Sequence, residues 1–135
     1  MSFILDTCVL SELTRPRPDA GAAAWLMEQP DKLKFVSAVS LGEIAYGIQI
    51  APAPRREKLA NWYNKILRPN LGDRVLAFDE ATSAVWASLR ARHRDAPALD
   101  AQIAATALLR GFTVVTRNVR DFAFTGLSVF NPWRG

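Results

Sequence analysis

Short apolar runs alternate along this chain with stretches of helical periodicity, and that alternation leaves few folds open to it. Phe3-Ile4-Leu5, Phe35-Val36 and Val75-Leu76-Ala77 are apolar throughout and end abruptly. Such runs are strands covered on both faces, since a strand with one wet face would alternate polar and apolar side chains. Apolar residues at three- and four-residue spacing predict helices over 9–13, 19–29, 41–50, 55–67 and 80–94. Asp79 stands as the N-cap of the last of these. A further helix over 99–110 stops at Gly111, in the C′ position, and leads into the β-branched strand Phe112-Thr113-Val114-Val115-Thr116. Leu127 through Phe130 predicts a last short strand. Strands and helices in this order give an α/β sandwich, a parallel sheet between helices with right-handed crossovers. Pro52-Ala53-Pro54 separates two helices and Arg68 through Asp73 forms a loop. Neither is long enough to mark a domain boundary, so residues 1–135 are expected to fold as one domain.

The chemistry open to such a domain is narrowed by what the chain lacks. It has 135 residues, half of them hydrophobic and 22% charged, the composition of a soluble globular domain. A single Cys, Cys8, and a single His, His93, exclude a disulfide framework, Cys/His zinc sites, paired-histidine metal sites and two-histidine acid/base chemistry. Carboxylates must therefore carry any catalysis. Cys8 has no second Cys or adjacent His to activate it and is expected to be a small packing residue. The opening MSFILD is no basic leader and no segment approaches a membrane span, so a cytoplasmic protein is expected.

Among thirteen acids, four stand where a solvated surface does not explain them. Asp6 ends the first strand, and open parallel sheets bind ligands at the carboxyl ends of their strands. An aspartate there equally suits the turn or N-cap that opens the next helix. Glu43 follows Ser40 at the spacing of a capping box, and shares a face with Tyr46, Gly47 and Ile50 that puts its carboxylate at the head of an inward stripe. Asp100 heads the face formed by Ile103, Ala104, Ala107 and Leu108. An ionised carboxylate is costly to bury there unless it is paired, hydrogen-bonded or metal-bound, although the helix N-terminus offsets some of the cost. Asp121 lies beyond the strand ending at Thr116, across a loop whose Arg117 and Arg120 could simply pair with it.

All four acids map to the same edge of one parallel sheet, where they would repel one another without a counterion. A hard divalent cation, Mg²⁺ or Mn²⁺, relieves that repulsion, because carboxylate and water oxygens are its preferred ligands. Such a site activates water for attack on phosphorus and stabilises charge on the leaving oxygen. Other sites fail on their chemistry. Gly42 through Gly47 has the spacing of a phosphate-binding loop, but Ile48 and Gln49 replace its Lys and Ser/Thr. There is no Gly-x-Gly dinucleotide fingerprint and no Gly-x-Ser-x-Gly elbow. Trp25, Trp62, Trp86 and Trp133 suit apolar faces, as core or interface residues, and His93 is expected on the surface.

Four segments in order carry a family likeness: 5–12 (LDTCVLSE), 36–48 (VSAVSLGEIAYGI), 100–107 (DAQIAATA) and 115–122 (VTRNVRDF), with the closing Asn131-Pro132-Trp133. Together they resemble the PIN-domain ribonucleases, and among them the VapC-type toxins of type II toxin–antitoxin systems. The resemblance spans essentially the whole chain. It implies a PIN-like three-layer sandwich with a mainly parallel central sheet flanked by helices. It also implies an endoribonuclease with Mg²⁺ or Mn²⁺ held by Asp6, Asp100 and Asp121, with Glu43 as ligand or orienting base and Thr116 as a polar neighbour. A cognate VapB-like antitoxin and a homodimer, or a larger toxin–antitoxin assembly, follow from it. Leu59, Trp62 and Ile66 form a candidate wall for the antitoxin's groove, or plain core.

RNA contact must come from cations, because the acids repel phosphate. Arg15 and Arg17 after the first segment, and Arg117 and Arg120 beside Asp121, are the candidates, whereas Arg90, Arg92 and Arg94 suit an ordinary solvated helix end. The net charge of +4 then divides unevenly: without the four acids, seventeen bases stand against nine acids. A non-catalytic PIN-like module that binds RNA or protein is the alternative reading, and a DNA-directed nuclease of the same mechanism a third.

Overall fold

The computed structural model of the chain describes residues 1–134. Its five strands, β1 (Phe3–Leu5), β2 (Lys34–Ser37), β3 (Val75–Leu76), β4 (Thr113–Val115) and β5 (Val129–Phe130), form one wholly parallel sheet in the order β3-β2-β1-β4-β5. β1 lies at the centre, so the chain winds outward from it on one side and returns to its other side. The crevice at its carboxyl end is thus a topological switch point.

Alternate side chains of each strand feed two cores. Phe3, Leu5, Val36 and Val115 join Leu10, Leu26, Leu41, Ile44, Leu67 and Leu71 under helices α1 (Thr7–Glu12), α2 (Ala20–Glu28), α3 (Ala38–Ile50), α4 (Ala53–Trp62) and α5 (Arg68–Leu71). Ile4, Leu76 and Val114 turn the other way, onto α6 (Glu80–Arg92), α7 (Ala98–Arg110), Phe122 and Phe124. The three-layer sandwich expected from the strand–helix alternation is therefore the architecture found. α7 is buried almost all round, and its Ala101, Ala104, Ala105 and Ala107 let the backbone lie close on the sheet and on α6. Gly111 ends it in the left-handed conformation, φ 71°, as its place after the last periodic residue predicts. Trp25, Trp62 and Trp133 pack partly buried against the first core and Trp86 against the second. No helix of the described residues is long and apolar enough to cross a membrane.

Several local expectations are corrected. α3 begins three residues earlier than its periodicity indicates, because Ser37, the last residue of β2, is also the N-cap: its Oγ accepts a hydrogen bond from Val39 N–H at 3.1 Å. Ser40 therefore opens no capping box with Glu43; it sits inside the helix, fully buried, with no partner for its Oγ among the described residues. The inward stripe of α3 is Ser40, Leu41 and Ile44, whereas Tyr46 and Ile50 are 66% and 65% exposed. The stretch from Arg68 is no loop but a helical turn to Leu71, joined to α4 through a π-helical turn at Tyr63–Leu67. Pro69 lacks an N–H to donate back along the helix, and the widened turn stands directly before the turn that contains it. Asp79 caps α6 as expected, its Oδ1 accepting from Thr82 N–H at 3.0 Å and Thr82 Oγ at 2.7 Å.

The displaced start of α3 is testable by equilibrium urea unfolding. Ser37→Ala removes the cap and is expected to cost about 1 kcal/mol. Ser40→Ala removes only an unpartnered buried hydroxyl and is expected to be neutral or stabilising. The reverse ranking would restore Ser40 as the cap.

Candidate active site

The pairing of β1 with β4 decides where the first carboxylate lies. Leu5 is opposite Val115, so the next residues, Asp6 and Thr116, leave the sheet side by side, and Asp6 N–H donates to Val115 O at 2.9 Å. Both residues are buried, at 5% and 0% exposure. Asp6 serves as N-cap of α1, its Oδ1 accepting from Thr7 N–H at 2.8 Å, and also belongs to the acidic group, so its two readings are compatible. Its Oδ2 accepts from the Thr116 hydroxyl at 2.8 Å and from the Cys8 thiol at 3.4 Å. Thr116 Oγ1 in turn accepts from Asn118 N–H at 3.0 Å, which fixes its rotamer. Three donors thus hold one carboxylate in a single orientation.

Cys8 is half-buried, and burial first, then the charge of Asp6, pushes its thiol pKa up. It is a neutral hydrogen-bond donor to Asp6, more than the packing residue expected from the sequence and no nucleophile. Thr7 escaped sequence reasoning altogether: its hydroxyl donates to Glu43 Oε1 at 2.7 Å, linking the start of α1 to α3 across 36 positions. The only signal was its place between Asp6 and Cys8. Glu43 keeps its second oxygen free of hydrogen bonds among the described residues.

Asp100 lies in the first turn of α7 and Asp121 in a 3₁₀ turn, Val119–Phe122, whose Phe122 anchors it in the second core. Burial, then Asp6, Asp121 and Glu43 in that order, pushes the Asp100 carboxyl up to about 6. Asp6, Asp121 and Glu43 thus lie within electrostatic reach of Asp100. Ion pairs among the described residues are Arg15–Glu12, at 3.4 Å, and Lys34–Asp31, at 3.0 Å, and neither touches the four. Arg117 and Arg120 do not neutralise Asp121 as a surface pair would. An uncompensated group of oxygen donors is what a hard divalent cation fits. Among the described residues no three acidic, His or Cys side chains lie together as a ready-made ligand group.

Two clefts flank the acids. One, of about 330 Å³, runs between α1, α3 and α4 from Thr7 and Glu43 past Ile44 and Ile48 to Leu59 and Trp62. Ile66, expected on the same wall, does not line it and is 61% exposed. Arg15 reaches this cleft while paired with Glu12, and Arg17 is exposed in the following loop. On the other side Arg120 and Asp121 line a second cleft with the end of α6. Arg117 is exposed, its guanidinium over the Trp133 ring at 5.9 Å from the centroid. His93 is no plain surface residue: its ring meets Phe124 edge-on, centroids 5.0 Å apart.

A raised carboxyl pKa means that the fold favours the protonated form of Asp100. Between about pH 4 and pH 6 the native state holds more protons at this site than the unfolded chain, so its contribution to stability falls as pH rises. Asp100→Asn removes that penalty. In metal-free protein the melting temperature of the variant, relative to the native chain, is expected to be near zero difference at pH 4 and clearly positive at pH 7. A difference independent of pH would contradict the mutual repulsion.

Comparison with known proteins places this geometry. The PIN domain family model matches residues 3–125. The chain is 38% identical to the plasmid stability protein StbB of Pseudomonas syringae pv. tomato, over 97% of this chain and 98% of that one. It is 36% identical to the VapC ribonuclease Y4jK of Sinorhizobium fredii, over 97% of each. It superposes on the crystal structure of FitAcB from Neisseria gonorrhoeae with a TM-score of 0.92, at 31% identity, covering 98% of this chain and 99% of that one. The structure of FitAB bound to an IR36 DNA fragment gives 0.89 at 32% identity, covering 98% and 96%. By sequence and by topology, the chain belongs to the PIN-domain family, among the relatives of the VapC and FitB toxins.

Proposed function

We propose that the chain is a metal-dependent endoribonuclease and the toxin of a toxin–antitoxin pair. The observation that carries this reading is the Asp100 carboxyl, pushed up to about 6 by burial and then by Asp6, Asp121 and Glu43, with no ion pair to any of the four among the described residues. Their oxygen donors suit Mg²⁺ or Mn²⁺, with Asp6, Asp100 and Asp121 as ligands and Glu43 as ligand or orienting base. Bound there, the ion supplies an activated water and charge stabilisation at phosphorus. The chain supplies the rest. Thr7, Cys8 and Thr116 fix the Asp6 carboxylate, and Thr7 turns Glu43 toward the same crevice. Arg15, in the cleft with Glu43, and Arg120, in the cleft with Asp121, together with the exposed Arg17 and Arg117, meet the RNA backbone, which the acids alone would repel.

The similarity to FitB and to a VapC ribonuclease supports a VapB-like antitoxin as partner. The groove between α1, α3 and α4, with Leu59 and Trp62 on its wall and Glu43 at its end, suits the partner's segment. A homodimer, or a larger assembly with antitoxin, and a cytoplasmic location accompany this reading.

Purified chain incubated with structured RNA and Mg²⁺ or Mn²⁺ is expected to cleave it, and EDTA, Asp6→Asn or Asp100→Asn to bring cleavage to background. Thr116→Val, which keeps the shape but removes the donor to Asp6, is expected to slow cleavage roughly 10–100-fold. RNA cleavage untouched by the acid variants would defeat the assignment. Growth arrest untouched by them would favour a non-catalytic binding module, and parallel DNA and RNA substrates separate the DNA-directed nuclease.

A further inference from the structure

The sequence assigns Arg92 and Arg94 to a solvated helix end, but the fold sets them opposite Arg120. α6 ends at Arg92, and the loop that follows forms one wall of a cleft of about 420 Å³ whose other wall is the segment around Asp121. Arg92, His93, Arg94 and Asp95 line the first wall, Arg120 and Asp121 the second.

The first wall is built rather than loose. The Arg90 guanidinium acts as a strap, Nη1 donating to Ala96 O at 2.9 Å and Arg94 O at 3.4 Å. His93 N–H donates to Leu89 O at 2.8 Å, and its ring rests on Phe124, itself 6% exposed. The cleft's own arginines are left available. Arg94 and Arg120 make no side-chain hydrogen bond or ion pair among the described residues, and Arg92 donates only Nε, to Ser88 O at 3.4 Å. Asp95 is paired with none of them. Exposed arginines on two walls of one cleft suit phosphate oxygens, for which their planar forks are shaped.

We propose that this cleft is a subsite for the RNA backbone, in which Arg92, Arg94 and Arg120 hold a phosphate next to the scissile one and lead the strand past Asp121. The inference rests on the ribonuclease reading above. An RNA strand is favoured over an acidic peptide because the cleft opens onto Asp121, so a strand of regularly spaced phosphates engages both the arginines and the acidic centre.

The test uses the full chain carrying Asp100→Asn with Mg²⁺, and a labelled single-stranded RNA whose binding is followed by anisotropy over a range of salt. Arg94→Ala and Arg120→Ala are each expected to raise the dissociation constant roughly tenfold at low salt. Each also lowers the slope of log K against log salt by about 0.7, as expected when one fewer phosphate of a single strand is neutralised. Arg94→Lys, which keeps the charge, retains the slope and guards against misfolding as the cause. Lys32→Ala, an exposed change at the opposite end of the sheet, leaves both quantities unchanged. If the triple Arg→Ala variant binds RNA with native affinity and slope while the unmutated chain still cleaves RNA, the subsite is wrong and the ribonuclease reading stands. If the unmutated chain neither binds nor cleaves RNA with metal, both fall. Loss of binding to an acidic antitoxin peptide with RNA binding intact would also overturn the proposal, in favour of a protein-binding cleft.

Discussion

The parallel pairing of β1 with β4 is the interaction on which the site depends. β1 is three residues long, buried on both faces, and the first strand in the chain, yet it occupies the centre of the sheet. Its register with β4 brings together Asp6 and Thr116, 110 positions apart, at a hydrogen-bond distance of 2.8 Å. A slip of one residue would point Asp6 at the opposite face and break the pair. The apolar side chains of β1 prevent that slip, since Phe3 and Leu5 are committed to one core and Ile4 to the other. Packing of hydrophobic residues thus determines the geometry of the polar ones.

Around that centre the electrostatics are asymmetric. Glu43 lines an apolar-walled groove along α3 and α4, and Asp121 lines an arginine-lined cleft. Burial, and after it the charges of Asp6, Asp121 and Glu43, disfavour the ionised Asp100 carboxyl. The protein tolerates the cost where a ligand or metal can offset it, which is the usual mark of a functional site rather than of a structural one. Each neighbouring cleft then suits a different kind of guest, an apolar segment or a polyanion.

Much of this was legible in the sequence. All five strands and the long helices follow from the change of apolar period, and Asp6 and Asp100 stand out because one ends a strand and the other opens a helix. The misreadings have a common origin. Ser40 mimics a cap because its spacing to Glu43 is right, but the chain turns helical directly after Ser37, a residue that serves both β2 and α3. Tyr46 and Ile50 were placed inward because they are apolar and in phase, and no local pattern shows that the neighbouring layer stops short of them. Thr7 and Cys8 carried no periodic signal at all, since a single hydroxyl or thiol acquires meaning only from its partner.

The amino-acid sequence by itself determined the α/β class, the order of elements and the acidic character of the centre, because hydrophobic period and residue chemistry are local properties written along the chain. Tertiary structure alone decided which polar atoms meet: Thr7 with Glu43, Thr116 and Cys8 with Asp6, Arg92 and Arg94 across a cleft from Arg120. Those meetings depend on strand register and helix packing between residues far apart, and hydrogen bonds and charge pairs act over a few ångströms, a distance that sequence separation does not measure.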